Sequence, residues 1–134
     1  MSAFFDSNIV IYAYSNDARR DRALSAIADG GVISVQVLNE FTNVLRRKQK
    51  QDWTVIEAAL HSLRFRFPEV LALTSDTHES ALRVAREHGL AFYDALIVAS
   101  AIEAGCDTLY SEDLQHGRRF GQLVIANPFE GHAP

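Results

Sequence analysis

The chain has 134 residues, 48% hydrophobic and 22% charged, the proportions of a globular domain rather than a disordered chain. That length suits a single domain, residues 1–134, burying roughly two thirds of its unfolded surface. No apolar run approaches the ~20 residues a bilayer crossing needs, the start "MSAFFDSN" lacks the basic region of an export signal, and the lone Cys106 rules out an internal disulfide. A cytoplasmic protein is therefore expected.

Residues 3–5 read as a short buried strand, and residues 9–14 as a following helical turn, with Asp6, Ser7 and Asn8 interrupting the apolar run "FFDSNIVIYAY". Residues 17–28 are helical, with Leu24, Ile27 and Ala28 on one face and Gly30-Gly31 as the stop. "VISV" is a second buried strand, its Ser34 placed to cap a helix over 35–48 that carries Leu38, Phe41 and Leu45 at helical spacing. Trp53, Ile56, Leu60, Leu63 and Phe67 mark an amphipathic helix ended by Pro68. "VLAL" (70–73) is a third strand. Asp76 with Glu79 resembles a capping box opening a helix that Gly89 stops. "YDALIVASAIEA" (93–104) is apolar almost all round, so this helix should be covered on several sides. "TLYS" (108–111) and "QLVIAN" (122–127) are the last strands. Short apolar strands alternating with helices indicate an α/β fold: a three-layer α/β/α sandwich around a mainly parallel sheet of about five strands.

Four acids stand out from this pattern. Functional sites of open parallel sheets form beyond the carboxyl ends of the strands. Asp6 ends the first strand, Asp113 follows "TLYS", and Glu40 lies in the helix leaving "VISV", which puts these three on one sheet edge. Asp94 sits in the first turn of the apolar helix, and topology alone does not place it. Glu40 lies between Val37 and Val44, and Asp94 among Leu90, Ile97 and Val98, so both carboxylates follow apolar stripes. Burying a carboxylate unpaired costs several kcal/mol, and two such charges ~4 Å apart repel by about 4 kcal/mol at an effective dielectric of 20. A convergent cluster needs protons or a cation. Taken singly, Asp6 and Asp94 also read as helix caps, Asp113 as a turn residue and Glu40 as half of a buried salt bridge.

An all-oxygen site without His or Cys suits Mg²⁺ or Mn²⁺ better than zinc. Such a site fits hydrolysis of a phosphodiester by a metal-activated water. Ser7 and Asn8 are placed to orient a carboxylate, a water or a phosphate oxygen, or equally to satisfy backbone groups where strand becomes helix. The net charge of −4 argues against a nucleic-acid partner. Yet once four of the 17 acids are gathered in one site, the rest balance the 13 Lys and Arg, so charge does not decide.

"FFDSNIVIYAY", the isolated Glu in "VQVLNEFTNVL", "FYDALIVASA" and "LYSEDLQHG" resemble the PIN-domain ribonucleases, specifically the VapC-type toxins of toxin–antitoxin pairs. The likeness runs in order through nearly the whole chain, with Ser7 where the family usually has Thr. It implies Mg²⁺- or Mn²⁺-dependent endonucleolytic cleavage of RNA, with Asp6, Glu40, Asp94 and Asp113 as the catalytic acids and Asp6, Asp94 and Asp113 on the metal. Ser111 matches a hydroxyl residue that often precedes the last acid. The resemblance also implies a homodimer and a VapB-type antitoxin whose tail covers the acidic pocket.

Glu112 has no counterpart role and is expected to be exposed. Trp53, Phe65 and Phe67 are candidates for a contact surface, although core packing is the commoner reason for aromatics at this spacing; Phe65 falls off the main stripe. Among the basic clusters, Arg46, Arg47, Arg118 and Arg119 are candidate RNA contacts, with Arg118 and Arg119 placed near the acids by "SEDLQHG". Arg19, Arg20 and Arg22 read as a solvated helix face. His61, His78, His88, His116 and His132 lack metal-ligand spacing, and the tail "NPFEGHAP" reads as a surface finish. Two other functions compete: an acid-pocket phosphatase or phosphotransfer domain, which would need a nearby Lys in its receiver form, and a PIN-like binding module that cleaves little or nothing.

Overall fold

Phe4 and Phe5 are fully buried on opposite faces of the opening strand β1 (Ala3–Phe5), which requires a layer of helices on each side of it. The computed structural model describes residues 2–130; His132 and the last part of the tail lie outside them. β1 pairs in parallel with β2 (Val32–Ser34) and β4 (Thr108–Tyr110). Outside these lie β3 (Glu69–Leu71), parallel to β2, and β6 (Leu123–Ala126), parallel to β4.

The sheet has six strands, in the order β3-β2-β1-β4-β6-β5, against the five expected. The additional strand is β5 (Arg119–Phe120), which runs antiparallel to β6 through Phe120↔Leu123 and Arg119↔Val124. Two residues carry too little periodicity to announce a strand; this one exists because Gly121, at φ 63°, turns the chain back onto β6. The β4–β6 crossover contains this hairpin strand and no helix.

The helices follow the sequence closely, with instructive departures. The first is α1 (Ser7–Ala13), starting directly at the acid. α2 (Arg20–Ile27) starts later than residue 17, because the Asp17 carboxylate accepts the Arg19 N–H at 2.8 Å in a turn ahead of the helix. It buries Ala23 and Ile27, while Ala28 is exposed. α3 (Val35–Arg47) is capped by the Ser34 hydroxyl accepting from Val37 N–H, and it buries Val37, Phe41 and Leu45.

α4 (Trp53–Arg66) buries Ile56 and Leu63, and Phe67 at its end, but Trp53 is 53% exposed. Trp53 opens the helix beyond the reach of the core, and the Arg46 guanidinium covers its ring at 4.6 Å. Phe65, off the stripe, is 87% exposed.

α5 (Ser75–His88) has its capping box at Thr74 and Thr77, not Asp76 and Glu79. The helix starts two residues earlier than the acids imply. Thr77 is then buried at the third position, returns the Thr74 N–H bond and donates to Glu103 at 2.8 Å. α6 (Phe92–Glu103) is buried from Ala95 to Ala101, between the sheet and α5. Among the described residues no helix is long and apolar enough to cross a membrane.

Candidate metal centre

β1 and β4 are neighbours in register, with Phe5 opposite Tyr110, so the residues that follow them emerge side by side at one sheet edge. Asp6 takes extended dihedrals there, φ −70° and ψ 160°, as the N-cap of α1. Its Oδ1 accepts the Ser7 N–H at 2.7 Å and its Oδ2 accepts the Ser111 hydroxyl at 2.8 Å. Asp6 is therefore both a helix cap and a member of the cluster: the capping bond occupies one oxygen and leaves lone pairs on both.

Asp94 lies in the first turn of α6 but is not its cap, since the helix starts at Phe92 with Ala91 as N-cap. Asp113 comes from the loop after β4. Asp6, Asp94 and Asp113 each offer a carboxylate oxygen, and the three oxygens lie within 4.8 Å of one another. Three elements distant in the chain thus deliver three acids to one point. Glu40, in the second turn of α3, stands outside that trio but close enough for its charge to act on Asp6. Its Oε1 is buried without a hydrogen-bond partner.

The electrostatics follow from this crowding. Burial chiefly, and then the charges of Glu40 and Asp113, push the Asp6 carboxyl from 3.8 up to about 7, against the hydrogen bonds from Ser111 and Ser7. Burial also raises Glu40, opposed by the Ser7 hydroxyl and reinforced by Asp94 and Asp113. Asp94 is raised by burial and by Asp113. No arginine answers this charge: the ion pairs among the described residues are those of Arg19 with Asp17 and Glu112. The reading of Glu40 as half of a buried salt bridge is thereby excluded. Hard oxygen donors, uncompensated negative charge and an orphaned carboxylate oxygen together fit a divalent cation of the Mg²⁺ class.

The neighbouring polar residues are also in place. Ser111 is fully buried and accepts the Leu114 N–H while donating to Asp6. Asn8 accepts the Glu112 N–H at 3.4 Å, and its buried Nδ2 has no partner.

Several expectations need correction. Glu112 is partly buried, not free: Tyr12 and Arg19 both bind its carboxylate. Arg19 accordingly leaves the solvated face assigned to it. Arg118 donates to the His88 carbonyl at 2.8 Å and covers the Phe120 ring, on a strand separated from β1 by two others and thus about 14 Å away across the sheet. Arg119, in that strand, is exposed. Arg46 and Arg47 close α3, six and seven residues past Glu40, about 10 Å along the axis. His116 holds the loop to β6 by accepting the Asn127 N–H at 3.0 Å. Tyr12 and Arg19 carried no signal in the sequence, because what they bind is remote from them along the chain.

Known proteins resemble the chain in sequence family and in fold. Residues 3–119 match the family model of the PIN domain. None of the curated proteins compared matches it. Among solved structures, a toxin–antitoxin complex from Klebsiella pneumoniae aligns with a TM-score of 0.73 at 22% identity, over 96% of this chain and 99% of that one. VapC20 of Mycobacterium tuberculosis, described as a sarcin–ricin-loop-cleaving toxin, gives 0.65 at 24% identity, over 81% and 87%. VapBC2 of Rickettsia felis, bound to a DNA fragment from its promoter, gives 0.68 at 20% identity, over 95% and 98%. With the family model covering most of its length, this chain belongs to the PIN domain family.

Proposed function

We propose that the chain is a divalent-metal-dependent endoribonuclease and the toxin of a VapBC-type toxin–antitoxin pair. The observation that carries the reading is the meeting of Asp6, Asp94 and Asp113 within 4.8 Å, with no basic partner among the described residues. These three would hold Mg²⁺ or Mn²⁺. Once bound, the ion would supply Lewis-acid polarisation of the phosphate and a lowered pKa for the attacking water.

The chain's own groups divide the remaining work. The unpartnered Glu40 Oε1 receives the proton released by the attacking water. Asn8 Nδ2, also unpartnered, donates to a phosphate oxygen. Ser7 and Ser111 orient Asp6 by their bonds to its two oxygens. Attack on phosphorus forms a P–O bond and breaks the one to the leaving oxygen, which departs with a proton from solvent. Arg46, Arg47, Arg118 and Arg119 would make salt-sensitive phosphate contacts along a longer RNA, since none lies at the acids.

Support for RNA as substrate and for a VapB-type partner comes from proteins of the same fold, described as a sarcin–ricin-loop-cleaving toxin and as toxin–antitoxin complexes. A homodimer and a cytoplasmic setting belong to the same reading. A receiver-type phosphotransfer site is disfavoured, because the chain's two lysines, Lys48 and Lys50, lie exposed at and beyond the end of α3. A purely binding PIN-like module would not need the uncompensated trio.

The test uses purified, partner-free protein with a structured RNA in Mg²⁺ or Mn²⁺, with and without EDTA, beside Asp6→Ala and Asp94→Ala. Chelator-sensitive cleavage lost in both variants is expected. Cleavage surviving both substitutions contradicts the assignment, and phosphate transfer from a small phosphodonor would favour the receiver instead.

A further inference from the structure

Glu112 sits beside Asp113 in the loop leaving β4, and it is held from three directions. The Tyr12 hydroxyl donates to its Oε1 at 2.5 Å. The Arg19 guanidinium donates to both of its oxygens, at 3.1 and 3.3 Å. Its backbone N–H goes to Asn8 Oδ1. Arg19 is itself fixed: it lies over the Tyr12 ring at 3.9 Å and donates to Asp17 through Nε at 2.9 Å and Nη2 at 3.0 Å. Burial and the Glu112 carboxylate push the Tyr12 hydroxyl up to about 12, so it remains a donor at neutral pH.

This network sits outside regular backbone structure. The 111–114 segment belongs to no helix or strand. On one side of Asp113 the Ser111 hydroxyl is tied to Asp6 and Leu114; between them, Glu112 is tied to α1 and to the residue capping α2. The Asp113 carboxylate makes none of these bonds. A partly exposed ion pair adds little to global stability, so what this one supplies is orientation.

We propose that Tyr12 and Arg19, acting through Glu112, are positioning residues that hold the 111–114 loop so that the Asp113 carboxylate stays within metal-binding range of Asp6 and Asp94. The same clamp keeps Glu112 from swinging into the cluster as a competing acid. The inference rests on the metal-centre reading above.

The discriminating variant is Tyr12→Phe combined with Arg19→Ala, which releases Glu112 from both side-chain partners without changing any acid. Removing a positive charge near a cation site should, by simple electrostatics, tighten metal binding. Loss of positioning should weaken it, by about tenfold or more, as outer partners of metal ligands do. Isothermal titration with Mn²⁺ is therefore predicted to show weaker binding in the double variant, with RNA cleavage recovering at raised Mn²⁺. Unchanged or tighter Mn²⁺ binding overturns the proposal. If the double variant does not fold, Tyr12→Phe alone, which keeps every charge, must still weaken Mn²⁺ binding, and unchanged affinity there overturns it equally. Wild-type protein that binds no Mn²⁺ overturns the metal centre itself, and this inference with it.

Discussion

Asp6 carries two demands that are usually separate: it ends β1 by capping α1, and it contributes one of three clustered carboxylates. The pH behaviour follows. Well below 3.8 Asp6 is protonated in folded and unfolded chains alike. Between 3.8 and about 7 the unfolded chain releases the proton while the folded one retains it, so the stability of metal-free protein falls as pH rises through that window and levels off above it. Thermal melts in EDTA across that range should show the decline, and Asp6→Asn should flatten it; an unchanged slope in the variant would place the titration elsewhere. Metal affinity should run the other way, rising towards pH 7 as the site loses its proton. At this scale the sequence was informative where a charge broke an apolar pattern, as at Asp6, Glu40 and Asp94. It was silent where the partner is remote: the bonds from Arg19 and Tyr12 to Glu112 span 93 and 100 residues, and no local periodicity records them.

Turns and caps hold the elements in the positions that gather those acids. Gly31 leads into β2 at φ 152°, and a Cβ there would lie 2.5 Å from the Ala3 carbonyl oxygen and 2.7 Å from a Phe5 ring carbon. Neither neighbour can yield without moving β1, so Gly31→Ala should cost about 2 kcal/mol or more and lower metal affinity by displacing Asp6. Chemical denaturation together with Mn²⁺ titration would check both, and a variant of wild-type stability would contradict the close approach. Thr74→Ala removes the cap of α5, whose bonds go to Thr77 and to none of the four acids, and should cost about 1 kcal/mol while leaving cleavage intact. Most elements are legible because their stripes are long; α6 is apolar nearly throughout, which marks it as a covered helix. The exceptions have local causes. The capping box lies at Thr74 and Thr77 because both threonine hydroxyls and a buried site are available two residues earlier. Trp53 shared the stripe of α4 but fell at its exposed first turn, and β5 depends on pairing more than on composition.

The whole molecule is a device for bringing chain-distant acids to one edge. Parallel pairing of β1 with β2 and β4 aligns their carboxyl ends, and the burial of α6 against the sheet and α5 fixes its first turn over the same place. The alternation of strand and helix forecast that edge for Asp6, Glu40 and Asp113; Asp94 joined them only through the packing of α6, which pattern alone could not place. Since the unfolded chain lacks the assembled site, Mn²⁺ should stabilise the fold, by about 2.7 kcal/mol at one hundred times its dissociation constant. Asp113→Ala should lose most of that gain. The most direct measurement of the central claim is an anomalous-scattering map from crystals grown with Mn²⁺. The structure predicts one strong peak ligated by Asp6, Asp94 and Asp113, with Glu40 beside it and the peak absent in Asp94→Ala crystals. Manganese bound only elsewhere on the protein, or no peak at these carboxylates, would contradict the account.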